Sequence, residues 1–232
     1  MGDTTQHASA RFTAWAGVVG PIVFAVGVIT ASLTVPGYSR VGQAISELGV
    51  PGSNGFWIQN SNFVVFGAIT VVFAFALRGV PGGVIVSALV LVAGLATAGS
   101  GLAHCAPGCP FPGEDPGVTA GDTVHMILGA LVFLPCIAAP LVTASGVRRL
   151  GDLRGYARYS LVTGVATFVA FVVFAFFAES VGVDGLSERV MLALPFTWFV
   201  VTAVLLLRGR LPLAGIAGPV PAAAGSPVTE VS

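Results

Sequence analysis

Residues 101–125 read GLAHCAPGCPFPGEDPGVTAGDTVH, a polar stretch that gathers two histidines, two cysteines and three carboxylates between two long apolar runs. The runs on either side, 80–103 and 123–145, each supply about 23 or 24 mostly apolar residues, enough for a helix to cross a hydrocarbon core of roughly 30 Å. The polar stretch is therefore a connection held at one membrane face.

Four further runs of this kind lie outward from it, at 12–35, 59–77, 159–178 and 190–207. Of the 232 residues, 55% are hydrophobic and only 9% charged, far from the roughly 25% charged usage of soluble domains. The sequence thus predicts an all-α, polytopic integral membrane protein, a bundle of six transmembrane helices. The first run exceeds the apolar core of a secretory signal, about 7–15 residues, so it is expected to stay as a span. Residues 1–10 and 211–232 are expected to be disordered cytoplasmic tails flanking a transmembrane domain at 11–210.

The ten cations are all arginine and balance ten carboxylates, which leaves no basic field to recruit nucleic acid. With alternating spans, Arg11, Arg78, Arg148, Arg149, Arg154, Arg158, Arg208 and Arg210 fall on one side, and only Arg40 and Arg189 on the other. This bias predicts cytoplasmic termini and an extracytoplasmic 101–122 loop in the cell membrane. No carboxylate, arginine or histidine lies near the middle of a span, where transporters place their ionisable pathway groups. The pattern favours a site open to one face, and ranks a transporter third among the functions considered.

The third span carries Ala93, Gly94, Thr97, Ala98 and Gly101, small residues at helical spacing that predict close approach of a neighbour. Phe168, Phe171, Phe174 and Phe177 in the fifth span either face lipid or shape a groove for a lipid chain. Asn60 and Asp122 each open a span seven residues before a Gly-Ala pair, which hints at a helix-pair repeat.

In the first loop, Val41, Ile45 and Leu48 recur at helical spacing opposite Arg40, Gln43 and Glu47, so a short interfacial helix is expected, capped by Ser39. On it, Ser46 and Glu47 would lean over a cavity. Asp122 and His125 are three apart and share a helical face, so the carboxylate can orient the imidazole as a general base; Asp122 is also where an N-cap belongs. Cys105 and Cys109 flank a Pro-Gly turn on the predicted oxidising side and are expected to form a disulfide. The rival is zinc held by His104, Cys105, Cys109 and His125, although the spacing matches no zinc signature; no cofactor is otherwise expected. Asp184-Gly185 reads as a turn and Ser187 as a cap for the sixth span. Arg189 either binds a lipid phosphate or pairs with Glu179.

Taken in order, Tyr38-Ser39, Ile45-Ser46-Glu47-Leu48-Gly49, Asn60, the Cys105 to Cys109 loop, Asp122 with His125, and Gly185-Leu186-Ser187-Glu188-Arg189 with Trp198 resemble the domain of unknown function 998 family, over roughly residues 14–207. The resemblance implies a six-helix membrane fold. The chain departs from the family pattern of an acidic residue beside the first loop cysteine, having His104-Cys105-Ala106.

Two functions compete on these residues. The first is a membrane enzyme acting on a lipid or isoprenoid, with His125 as acid/base, Asp122 orienting it, Glu47 a second carboxylate, and Asn60, Glu179, Arg189 and Tyr38 binding substrate. Ser46 would be the nucleophile of a hydrolase version, whereas a cyclase version would protonate its substrate from Glu47 or Asp122. The second is a non-catalytic lipid-binding or membrane-assembly protein.

Overall fold

In a computed structural model, residues 2–110, 118–148 and 150–211 are described, with the backbone only for 2–10. Six helices long and apolar enough to span a membrane are present, and no strand occurs among the described residues. They are α1 (Gly2–Thr34), α2 (Phe56–Ala76), α3 (Gly83–Ser100), α4 (Ala120–Val147), α5 (Arg154–Phe176) and α6 (Asp184–Leu207). The protein is thus all-α and polytopic, as the hydropathy pattern predicts.

The helices begin and end within a few residues of the apolar runs, with two larger differences. Helix α1 starts at Gly2, not near Phe12, because extending an existing helix costs far less than nucleating one. Helix α6 starts at Asp184, so Asp184-Gly185 is its first turn rather than a loop, and Val183 takes the cap position expected for Ser187. The Ser187 hydroxyl instead donates to the Asp184 carbonyl at 2.9 Å. At the other end, Leu211 is buried, so packing reaches one residue beyond the expected boundary; residues 212–232 lie outside the described residues.

Each helix packs on its neighbours in sequence and α6 returns to α1, which closes a ring. Neighbouring helices run in opposite directions. The end of α3 therefore meets the start of α2, where Gly101 faces the Asn60 carbonyl, and Arg11 at the other end donates to the Leu207 carbonyl at 3.4 Å. Two ends of unlike charge result. Glu47, Asp122, Glu179, Asp184 and Glu188 lie at one, the acidic end; Arg11, Arg78, Arg148, Arg154, Arg158, Arg208 and Arg210 lie towards the other. Glu114, Asp115 and Arg149 lie outside the described residues.

Lipid is as apolar as leucine, so helix association in a bilayer depends on close contact and local hydrogen bonds. The α2–α3 seam supplies the contact: a Cβ on Gly67 would sit 2.5 Å from the Gly94 carbonyl and the Ala98 nitrogen. That is the close approach the small residues of the third span predict. Gly129, its counterpart in the suspected repeat, would meet nothing within 4 Å, so the Gly-Ala pairs are not equivalent. The α5–α6 seam supplies hydrogen bonds, Tyr156 to Thr202 at 2.7 Å and the Trp198 indole to Ser160 at 3.1 Å.

The first loop departs from expectation. Instead of an amphipathic helix it forms turns and a single 3-10 turn at Ser46–Gly49. The reason is competition for its backbone donors: Ser39 N–H goes to the Gln43 side chain, Ala44 N–H to the Glu47 carboxylate, and Ile45 N–H to Glu188. Side chains thus replace the i−4 carbonyls a helix would use. Ser39 does cap a turn, accepting Gly42 N–H at 3.0 Å. The loop folds inward over the bundle, with Ile45 2% and Leu48 0% exposed.

Candidate functional site

A cavity of about 390 Å³ runs from the acidic end into the centre of the ring, and all six helices contribute to its wall. On α4, His125, Gly129, Phe133 and Cys136 line it; on α6, Glu188, Leu192, Phe196 and Phe199 do. Both sets step by four, four and three residues, so each is one continuous helical face. The body is aromatic, with Phe63, Phe66, Phe133, Phe171, Phe174, Phe196 and Phe199 on its wall. Of the four phenylalanines expected either to face lipid or to form a groove, Phe171 and Phe174 face the cavity, while Phe168 and Phe177 are 52% and 59% exposed.

The polar groups lie at the mouth. Ser46 and Glu47 come from the first loop, His125 from α4, Glu179 from the turn after α5, and Asp184 and Glu188 from α6; Gly108, Cys109 and Pro110 lie beside them. A second depression between the ends of α5 and α6 shares Phe174, Ala175, Glu179 and Asp184 with the cavity.

The structure therefore brings Ser46, Glu47, His125 and Glu179 together and leaves Tyr38, Asn60, Asp122 and Arg189 off the lining. Each of these four has a structural engagement. Asn60 donates to the carbonyls of Gly49 and Phe56, both at 2.9 Å, tying the first loop to α2. Asp122 sits in the first turn of α4 and not at its cap: Thr119 is the N-cap, and the two form a reciprocal capping box. One Asp122 oxygen accepts from Thr119 N–H at 2.8 Å and its hydroxyl at 2.6 Å, and the other from Ala106 N–H at 2.6 Å. No hydrogen bond joins Asp122 to His125, so the carboxylate does not fix the ring by direct contact. That task falls to the Ala103 carbonyl, 2.7 Å from His125 Nδ1. A carbonyl only accepts, so in the neutral ring the proton is on Nδ1 and Nε2 keeps the lone pair.

Arg189 makes no ion pair with Glu179 among the described residues. Its guanidinium donates to Tyr38 Oη at 2.8 Å, to the Gly185 carbonyl at 2.7 Å and to the Gln43 carbonyl at 3.4 Å. Tyr38 in turn donates to the carbonyls of Gln43 and Ala44. Burial pushes the Tyr38 phenol up, and the Arg189 hydrogen bond partly offsets that, so Tyr38 stays a donor at neutral pH.

Cys105 and Cys109 form a disulfide with Cα atoms 5.0 Å apart. In this structure the two sulfurs that the zinc alternative would use are bonded to each other, and His104 lies tilted against Phe56 with ring centroids 4.8 Å apart. Among the described residues no group of three or more His, Cys, Asp or Glu is arranged to hold a metal ion. Ser46 Oγ lies 3.3 Å from Cys109 Sγ; a disulfide sulfur carries no hydrogen, so the hydroxyl is the donor. No hydrogen bond joins Ser46 to His125 or Glu47, the link a serine nucleophile needs.

Sequence reading missed Glu188 as a site residue. It is 8% exposed, faces the cavity, and accepts Ile45 N–H at 2.5 Å through Oε2. The spacing of Glu188, Leu192, Phe196 and Phe199 carried that signal, which a reading of Glu188 as a first-turn residue after a Ser187 cap passes over.

The sequence matches the family described as protein of unknown function (DUF998) over residues 18–205, and the chain belongs to that family. No curated protein and no solved structure matches it.

Proposed function

We infer that this DUF998 protein holds the apolar chain of a membrane lipid or isoprenoid in its ring of helices and presents the polar head to His125 and the carboxylates at the mouth. The observation that carries this reading is the division of one cavity into an aromatic body and a polar mouth. Its volume is within the range of about 300–1,000 Å³ usual for small-molecule sites. The depression shared with the ends of α5 and α6 supports access from the bilayer.

An acid–base enzyme is the second reading, favoured by His125 Nε2 and Glu188 standing on a wall of phenylalanines. Of its two versions the cyclase keeps more support, since aromatic faces stabilise a developing cation while Ser46 lacks a base.

The binding reading is tested on the purified protein. Organic extraction and mass spectrometry should recover an amphiphile in near-stoichiometric amount, and Gly129→Phe, which projects a ring into the cavity from a position with nothing within 4 Å, should deplete it several-fold. An unchanged yield from a folded Gly129→Phe protein would reject the cavity as the binding place.

The arginine bias supports an orientation with the acidic end on the extracytoplasmic side of the cell membrane. In a Cys136→Ala background, Asp184→Cys should then react with an impermeant maleimide on intact cells and Arg154→Cys should not. The reverse pattern would move the mouth to the cytoplasmic side.

A further inference from the structure

A lipid phosphate needs positive charge, and the cavity mouth offers the opposite. Glu47 and Asp184 are half-buried on its wall, Glu179 is exposed there, and Glu188 is more than nine-tenths buried. No arginine lines it. The nearby guanidinium, that of Arg189, is directed to Tyr38 Oη and two backbone carbonyls of the first loop and α6.

Hydrogen-bonding capacity is just as one-sided. Glu188 engages one oxygen on Ile45 N–H, and among the described residues no other hydrogen bond reaches its carboxylate, which lies on the cavity wall. In the tautomer set by Ala103, His125 also offers an acceptor, Nε2. The neutral side-chain donors at this end are already engaged: the Ser46 hydroxyl meets Cys109 Sγ, and the Ser100 hydroxyl donates to the Ala96 carbonyl. Acceptors that open onto a cavity favour an occupant that brings donors, and in a site walled by apolar rings a carboxylate favours a cation over an anion far more than it does in water.

We propose that the head group held at this mouth is a protonated amine: a cation on an alkyl or isoprenoid chain, donating N–H to Glu188 and Glu47 and laying its first carbons against Phe174 and Phe196. The proposal rests on the reading that the cavity holds an amphiphile, and it reverses the sign of the head group that Arg189 suggests in the sequence. The phenylalanine faces add a second preference for positive charge.

Native mass spectrometry of the full chain in neutral detergent tests it with three probes of one chain length: dodecylamine, dodecan-1-ol and dodecyl sulfate, each below its micellar concentration. Dodecylamine should form a one-to-one adduct on the order of tenfold tighter than dodecyl sulfate. Glu188→Gln keeps an oxygen for Ile45 N–H and should weaken the amine severalfold while leaving dodecanol unchanged. Glu179→Gln, at an exposed position, should act in the same direction and stands in if Glu188→Gln does not fold. Equal binding of amine and sulfate would overturn the charge inference while leaving the cavity reading intact, since both chains would still bind and Gly129→Phe would still displace them. Absence of all three adducts, or adducts indifferent to Gly129→Phe, would remove the cavity reading and the amine proposal with it.

Discussion

Asp122→Ala should lower the stability of the folded protein by about 2–4 kcal/mol, the sum of a lost cap and of backbone donors left without acceptors. Asp122 is 0% exposed, and its two oxygens accept from Thr119 N–H, the Thr119 hydroxyl and Ala106 N–H. One carboxylate thus closes the capping box of α4 and also holds the residue next to Cys105. Alanine removes both functions at once. Thermal unfolding in detergent checks the size of the effect, and Asp122→Asn should recover only part of it, because an amide brings two hydrogens into a pocket that already contains donors. His125→Ala is the contrast: its hydrogen bond is to the Ala103 carbonyl in the turn after α3, so it should cost less stability while changing what the cavity binds. An Asp122→Ala protein that melts like the wild type but loses its amphiphile would overturn this division of roles.

The contrast shows what the sequence made legible. Hydropathy over six runs specifies the spans, because the bilayer imposes one length on every helix, and the disulfide follows from a short Pro-Gly turn between two cysteines. The pairing of Asp122 with His125 was misleading for a local reason. Helical spacing places two residues on one face but does not say which other groups claim their lone pairs, and Thr119 and Ala106 claimed those of Asp122. Arg189 repeats the point with Tyr38 and Gly185. Glu188 was hidden differently: in the first turn after a Ser187 cap it reads as an ordinary helix-start carboxylate, although it continues the cavity face of Leu192, Phe196 and Phe199. Which groups share a cavity depends on closure of the ring by α1 and α6, a contact between the two ends of the chain that no local pattern encodes.

The second large effect is expected at that closure, where the first loop docks on α6. A Cβ on Gly185 would sit 2.1 Å from the Gln43 carbonyl oxygen and 2.8 Å from that of Arg40. Both are backbone atoms, so neither can rotate away, and Gly185→Ala must push the loop off the helix. The displacement would break Leu186 N–H to the Val41 carbonyl at 2.9 Å, Ile45 N–H to Glu188, and the hold of Arg189 on Tyr38. Overpacking typically costs about 1–3 kcal/mol, and the severed contacts place this substitution at or above the upper end. Hydrogen exchange should localise the damage to residues 38–50, whose amides should lose protection while those of α2 and α3 keep it. The same loop carries Ser46 and Glu47 to the cavity mouth, so binding should weaken together with loop protection. If Gly185→Ala exposes the loop yet binds dodecylamine as tightly as before, Glu47 is not part of the head-group site, and the mouth reduces to the carboxylates that α6 and the turn after α5 supply.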